Sequence, residues 1–348
     1  MSAPMLRLPT GRGLAALLIA LVVAVAAAIA ALAMASGGDS DALVVYNGRS
    51  HYGGEEAFKR FTEQTGIEVE LFGGDAPELY ERLRNEGTDT PADVLVTVDG
   101  ANLAQAKEAG LLSPMTSTVI EDRVPADLRD PDGEWTGIST RVRTLMRSTE
   151  RVGANQIADY ADLGDPKWRG RVCLRTSNNI YNQSLVADML VKRGDEATGR
   201  MLRSWMANDP IILGSDVDVL EAIAAGRCDV GLTNHYYLAR QLAEAPQFPV
   251  APVWADQDAA GAHANLSGAG VVAASDRKVD AQRLVEFLTN PASQRDIAAN
   301  GEFPVNERVP PAGHVREWTG FKTDAMKVQA AGHRQKDAVQ LMARVGWQ

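Results

Sequence analysis

The chain has 348 residues, enough for two ordinary domains, and its 45% hydrophobic content is that of a globular protein. Against 35 basic residues it carries 45 acidic ones, a formal charge of −10. It has no Lys/Arg run of the kind that grips a phosphate backbone, which argues against nucleic acid as a partner.

The amino terminus carries a targeting pattern. Arg7 and Arg12 make a positive start, and residues 13–35 are almost wholly apolar, about the ~20 residues that a bilayer requires. Ala33-Met34-Ala35 offers a small-residue cleavage site before Ser36. Residues 1–35 read as a signal peptide or, because the apolar run is long, as an uncleaved membrane anchor. No Cys lies near this boundary, so a lipoprotein anchor has no support. Either way the remainder is expected to be exported, as a periplasmic or an extracytoplasmic membrane-anchored protein. Residues 36–41 form a short spacer.

Leu43-Val44-Val45-Tyr46 predicts a strand, followed by a polar loop and a helix over residues 54–64 with Ala57, Phe58 and Phe61 at helical spacing. Gly66 stops it, and residues 67–71 alternate as a strand should. A helix over residues 77–86 opens on Pro77, where the missing N–H costs nothing. Residues 93–98 predict a buried strand, and residues 101–109 a helix capped by Gly110. This alternation argues for a mainly parallel sheet with helices on both faces. Ligands of such sheets bind beyond the carboxyl ends of the strands, where the loop of residues 47–53 lies.

Residues 135–146 read as an extended crossover into a second lobe, and residues 165–170 as a turn-rich lead-in to a strand over 171–175. Helices are expected over 182–193 and 217–225, with a strand over 228–233. A strand over 270–274 returns to the first lobe, a helix spans 279–288, and helix formers dominate after Phe321. Cys173 and Cys228 are the two cysteines. In an exported chain an even pair suggests one disulfide, the alternative being two buried free thiols. No Cys-x-x-Cys or His spacing accompanies them that would hold zinc.

Tyrosine placement is the most informative feature. Of seven tyrosines, Tyr52, Tyr181, Tyr236 and Tyr237 fall in three short polar loops, each of which follows a predicted strand. A phenol titrates near ~10 and is a poor ligand for most metals at neutral pH. A trivalent hard cation such as Fe3+ displaces that proton and binds the phenolate. The competing reading is that each ring is packing with a hydrogen-bonded hydroxyl, or that the tandem pair is a sugar platform.

Several segments, in order, carry a family resemblance. They are Pro91-Ala92-Asp93-Val94-Leu95-Val96-Thr97-Val98-Asp99, Asp165-Pro166-Lys167-Trp168-Arg169-Gly170, the run of residues 177–187 around Tyr181, Asn234-His235-Tyr236-Tyr237-Leu238-Ala239-Arg240, residues 261–270, and Glu302-Phe303-Pro304-Val305-Asn306. With them the chain resembles the ferric-iron substrate-binding proteins of bacterial ABC transporters. The resemblance implies an α/β, two-lobe type II periplasmic binding protein fold with the ligand cleft between the lobes. The division expected is a first lobe over 42–138, a second over 139–265, a return to the first over 266–305, and a C-terminal helical segment over 306–348 that packs on the lobes. Fe3+ is then the transported ligand, held by Tyr181, Tyr236, Tyr237 and one or both of His51 and Tyr52. The partner is an ABC transporter permease in the membrane, and a monomer is the family default.

Members of the family differ in the first loop, and Arg49-Ser50-His51-Tyr52 mixes two of their patterns, so the register of His51 and Tyr52 stays open. Asp99 stands where some relatives place a carboxylate ligand; as a residue it reads better as the N-cap of the next helix. Arg49 and Arg141 are expected to lower the phenol pKa values and to hold a synergistic anion such as carbonate. Arg143 is expected either to share that role or to be a solvated surface residue. His235 reads as a loop residue behind the ligands, and His263 as support for a hinge. Binders of thiamine, phosphonate, sulfate, spermidine or sugar share the architecture. An exported hydrolase is the remaining alternative; the chain shows no Gly-x-Ser-x-Gly elbow, His-Glu-x-x-His or Walker loop, and it is not expected to be an enzyme.

Overall fold

The computed structural model describes residues 42–49 and 55–348. The apolar leader, the spacer, and His51 and Tyr52 lie outside the described residues. Leu43–Gln348 pack as a unit of their own.

The first lobe opens with β1 (Leu43–Asn47), α1 (Glu55–Thr65), β2 (Val69–Gly73), α2 (Ala76–Glu86), β3 (Val94–Thr97) and α3 (Gly100–Glu108). β1 pairs in parallel with β2 on one side and β3 on the other. Apolar spacing decides which helix face is buried. Ala57, Phe58 and Phe61 of α1 seal one face of the sheet, and Leu79, Leu83, Leu103 and Ala106 of α2 and α3 seal the other. Each of the larger of these side chains contributes about 2 kcal/mol by leaving water. β4 (Leu112–Ser113) and α4 (Thr118–Arg123) lead to the long strand β5 (Thr136–Ser148).

The second lobe is built from β6 (Val172–Arg175), α5 (Ile180–Ala207), β7 (Ile211–Leu213), α6 (Asp216–Ala224), β8 (Val230–Asn234), α7 (His235–Glu244) and β9 (Val250–Val253). β6 pairs in parallel with β7 and β8. The helix expected to stop at Arg193 does break there, because Gly194 takes φ 77° and ψ 169°, but helical turns resume and run on to Ala207. The chain returns through β10 (His263–Val272), α8 (Lys278–Leu288), α9 (Pro291–Ala299) and β11 (Phe303–Pro304), and finishes in α10 (Val328–Arg344).

One sheet path, β2-β1-β3-β10-β5-β8-β6-β7, runs through both lobes, with β4, β9 and β11 attached to its long strands. β10 is antiparallel to β3 over Gly268–Val271 and to β5 over His263–Ala269. β5 in turn is antiparallel to β8 over Arg143–Arg147. Both long strands therefore belong to both lobes, and the expected boundaries after residues 138 and 265 fall inside them. β10 begins seven residues before the strand expected over 270–274, at His263. Its first half, His263-Ala264-Asn265-Leu266-Ser267, has no β-branched residue and weak intrinsic strand preference. It is extended because β5 pairs with it.

Helix α10 carries Ala338, Leu341 and Met342 into the second-lobe core, where Trp347 meets Trp205 edge to face and donates to the Arg175 carbonyl at 2.9 Å. The same helix lies against α3, where Gln105 donates to the Gly332 carbonyl.

Cys173 and Cys228 form a disulfide with a sequence separation of 55. Both are buried, and the bond ties β6 to the segment that feeds β8. A loop of that length corresponds to roughly 4 kcal/mol in the chain-entropy treatment, at the upper end of what disulfides deliver. The double variant Cys173→Ala/Cys228→Ala should therefore lose about 2–4 kcal/mol of unfolding free energy in urea. An unchanged midpoint would show that the bond constrains neither state.

Candidate functional site

β1, β2 and β3 of the first lobe and β6 and β7 of the second end on a common cleft. A cavity of about 440 Å³ there is lined by Gly48, Ala76 and Val98 from one side and by Arg175, Asn179 and Tyr181 from the other.

Tyr181 is the second residue of α5. Asn179 caps that helix, its side chain accepting from the Tyr181 amide at 3.1 Å, as a short polar side chain at an N-cap should. The ring is buried against Ala76 and Val98 of the first lobe. The Arg141 guanidinium carbon lies 4.7 Å from the ring centroid, close enough for cation–π attraction.

Tyr236 and Tyr237 open α7, directly after β8. Tyr236 is buried, and its hydroxyl accepts from Asn234 Nδ2 at 3.2 Å. Tyr237 is half-buried, leans on the apolar cluster that includes Leu238 and Val250, and has its ring centroid 4.4 Å from that of Tyr236. Arg240 lies 4.9 Å from the Tyr236 ring centroid.

The four arginines and acids around these rings divide into distinct circuits. Arg49, at the base of the first loop, is buried and makes a two-pronged ion pair with Glu302, at 2.9 and 3.2 Å, and donates to Ser139 Oγ at 2.8 Å. Burial disfavours its cation. The Glu302 charge and hydrogen bond, followed by the phenols of Tyr181 and Tyr236, outweigh burial and raise its pKa. The stem of the first loop and the two second-lobe phenols thus share one electrostatic environment. Burial also works against the Glu302 carboxylate, yet Arg49 and Ser139 hold its pKa below the ordinary value.

Arg141 and Arg143 stand two residues apart on β5, so strand alternation puts them on one face. Their surroundings differ. Arg143 is only 2% exposed, which overturns its reading as a solvated residue. It donates to Asp216 Oδ1 at 2.7 Å, Asn182 Oδ1 at 2.9 Å and Asn234 Oδ1 at 3.1 Å, and Arg175 also pairs with Asp216. This circuit fixes the starts of α5, α6 and α7 against one another. Arg141, equally buried, donates to Ser267 Oγ at 3.3 Å, while its Nη2 has no hydrogen-bond partner and no carboxylate among the described residues forms an ion pair with it.

Asp99 caps α3, accepting from the Ala101 amide at 2.7 Å, and its other oxygen takes hydrogen bonds from Ser184 of α5 and Asn265 of β10. Its carboxylate is thereby engaged at the junction of the lobes. His235 is fully buried as the first residue of α7, no longer in a loop. His51 and Tyr52 cannot be located, since they lie outside the described residues.

Four contributors have roles that the sequence reading left out. Glu302 neutralises Arg49 while Ser139 accepts a hydrogen bond from it, and Asp216 neutralises Arg143. Glu302 had a faint signal: it is an acid inside a largely apolar segment, a position that demands a partner when buried. Tyr160 had none. Its buried hydroxyl joins the start of β10 to the interior of β5, accepting from the His263 amide at 2.9 Å and donating to the Arg143 carbonyl.

His263 starts β10 with Nδ1 3.3 Å from Asp188 and 3.6 Å from Asp324. Lys192 pairs with both carboxylates. The three carboxylate and imidazole groups lie close enough to hold a metal ion, but two acids already face two cations there, so the cluster is a balanced ion network joining α5, β10 and the C-terminal segment. Burial lowers the pKa of His263, and hydrogen bonds and charges from Asp188 and Asp324 more than reverse this, to about 9. An unfolded histidine titrates near ~6.5. Since the folded value is the higher, the network's stabilisation is complete below pH ~6.5 and is lost as pH rises through about 9. Melting temperature should accordingly fall between pH 6.5 and 9.5 in the wild type, by an amount equivalent to at most roughly 3 kcal/mol. His263→Gln should flatten that fall; parallel melting curves for the two proteins would remove His263 as its source.

Comparison with known proteins gives a consistent neighbourhood. Residues 89–322 match the family described as bacterial extracellular solute-binding protein. Iron uptake protein A1 of Synechocystis sp. is 37% identical over 89% of this chain and 88% of its own length. The structure of a Trichodesmium protein in complex with iron and citrate matches with a TM-score of 0.80 and 36% identity, over 88% of this chain and 100% of that one. The apo ferric ion-binding protein A of Pasteurella haemolytica matches with a TM-score of 0.82 and 33% identity, over 88% and 98%.

Proposed function

The chain belongs to the bacterial extracellular solute-binding proteins, and from that premise we propose that it captures Fe3+ outside the cytoplasm through tyrosinate ligands and delivers it to an ABC transporter permease. The observation that carries this reading is the placement of the tyrosines: Tyr181 of the second lobe lines the cleft cavity opposite Gly48, at the root of the first loop, and Tyr236 and Tyr237 open the helix that follows β8. The similarity to iron-uptake and ferric-binding proteins over most of the chain supports the same ligand.

In this reading Tyr181, Tyr236 and Tyr237 bind the ion first. Closure about β5 and β10 then brings in Tyr52, His51 or both and buries it. Three phenolates match the charge of Fe3+. Arg49 adds little net charge, because Glu302 cancels it. Arg141 is the cation left to offset a fourth phenolate, or to hold carbonate through its unsatisfied Nη2 when the first loop supplies only a neutral imidazole. The protein works by binding and release, as an exported monomer whose leader is either cleaved or kept as an anchor. Two of the histidines that a hydrolase would recruit are committed elsewhere: His235 is fully buried and His263 is held by carboxylates.

The test is a visible absorption titration of the full chain, in mild detergent, with ferric citrate. Wild type should develop a broad tyrosinate-to-iron charge-transfer band that saturates near one equivalent, and Tyr237→Phe should weaken or abolish it. A folded protein with no band would remove ferric iron as the ligand. Arg141→Gln should keep the band but raise the pH at which it reaches half intensity by about one unit, because a nearby cation favours the phenolate. An unshifted pH profile would show that Arg141 does not act on the phenols.

A further inference from the structure

The ladder between β5 and β8 runs from Arg147↔Val230 to Arg143↔Asn234. The next rung would pair Val142 with His235, but at His235 the chain has already turned into α7. β11 pairs with β5 only at Thr140 and Ser139. Val142 therefore has no strand partner on that side. Its amide donates instead to the imidazole, Val142 N to His235 Nδ1 at 3.1 Å. The ring also stacks on Phe303 of β11, with centroids 4.6 Å apart and planes 20° apart. An imidazole thus fills one rung of the sheet.

Building on the ferric reading, we infer that His235 is a positioning residue, which sets where Tyr236 and Tyr237 stand by locking the first turn of α7 to the shared strand β5. The next two residues of the helix are the tandem tyrosines, so a slip of its first turn moves both phenols. Val142 lies between Arg141, beside Tyr181, and Arg143, which holds Asn234 ahead of the tyrosines. One rung therefore aligns the second-lobe phenols with the cation beside Tyr181. The ring is fully buried.

The test uses two polar variants of the full chain in mild detergent. His235→Asn puts an amide oxygen where Nδ1 stands; His235→Gln moves the polar end outward and leaves the Val142 amide unpaired. Ferric citrate is the probe, with the charge-transfer band read for position and titration midpoint, and exchange of the Val142 amide read on the iron-free protein. H235N should keep the band, the midpoint within threefold and a protected Val142 amide. H235Q should shift the band, weaken binding at least tenfold and speed Val142 exchange by tenfold or more, with circular dichroism unchanged. Equal behaviour of the two variants, or a failure of H235N to fold, would overturn the inference. So would faster Val142 exchange in H235Q with an unmoved band. A wild type without any band would instead sink the ferric reading, while the exchange data would still report the rung.

Discussion

Everything in this molecule hangs on the antiparallel pairing of β5 with β10. Each of these strands also pairs with a parallel strand of one lobe, β10 with β3 and β5 with β8. Backbone hydrogen bonds therefore run without a break from one lobe to the other. A set of buried polar side chains is fixed to this pair: Ser139, Arg141 and Arg143 on β5, with Ser267 on β10. Buried polar groups are costly when unpaired, so their hydrogen bonds make the centre of the molecule as specific as its apolar layers.

The charge arrangement follows from that scaffold. Arg49 with Glu302 and Arg143 with Arg175 and Asp216 are buried ion groups whose members come from distant stretches of chain, 253 residues apart in the first case. Such groups add little net stability compared with apolar packing. What they supply is register: Arg49 holds the root of the first loop, and Arg143 with Asp216 holds three helix starts. Unlike these, Arg141 makes no ion pair among the described residues, with only the longer-range charge of Glu302 acting on it, and it lies beside a candidate ligand ring.

Much of this was legible in the sequence, for identifiable reasons. The first lobe reads correctly because apolar period switches cleanly between strand and helix, from Val44-Val45 to Phe58 and Phe61 and back. Asp99 as a cap was legible because capping is local. The tyrosine clusters stood out because residue type alone selects them. The first half of β10 was hidden, since its extension is imposed by a partner strand and not by its own residues. The burial of Arg143 was hidden for the same kind of reason: an arginine looks solvated until Asp216, Asn182 and Asn234 arrive from three other elements. Tyr160 was passed over because its hydroxyl serves backbone groups that no motif names.

The position of α10 has a mechanical consequence. It contributes core residues to the second lobe while its other side rests on α3 of the first. A rotation of the lobes about the central strands must slide this helix along one of its two neighbours. The C-terminal helix thus works as an outrigger. Narrow swings leave its greasy side in place, and wide ones would peel it from α3 and wet both surfaces. Closure of the kind proposed would therefore be limited far from the jaws themselves, by the last helix of the chain.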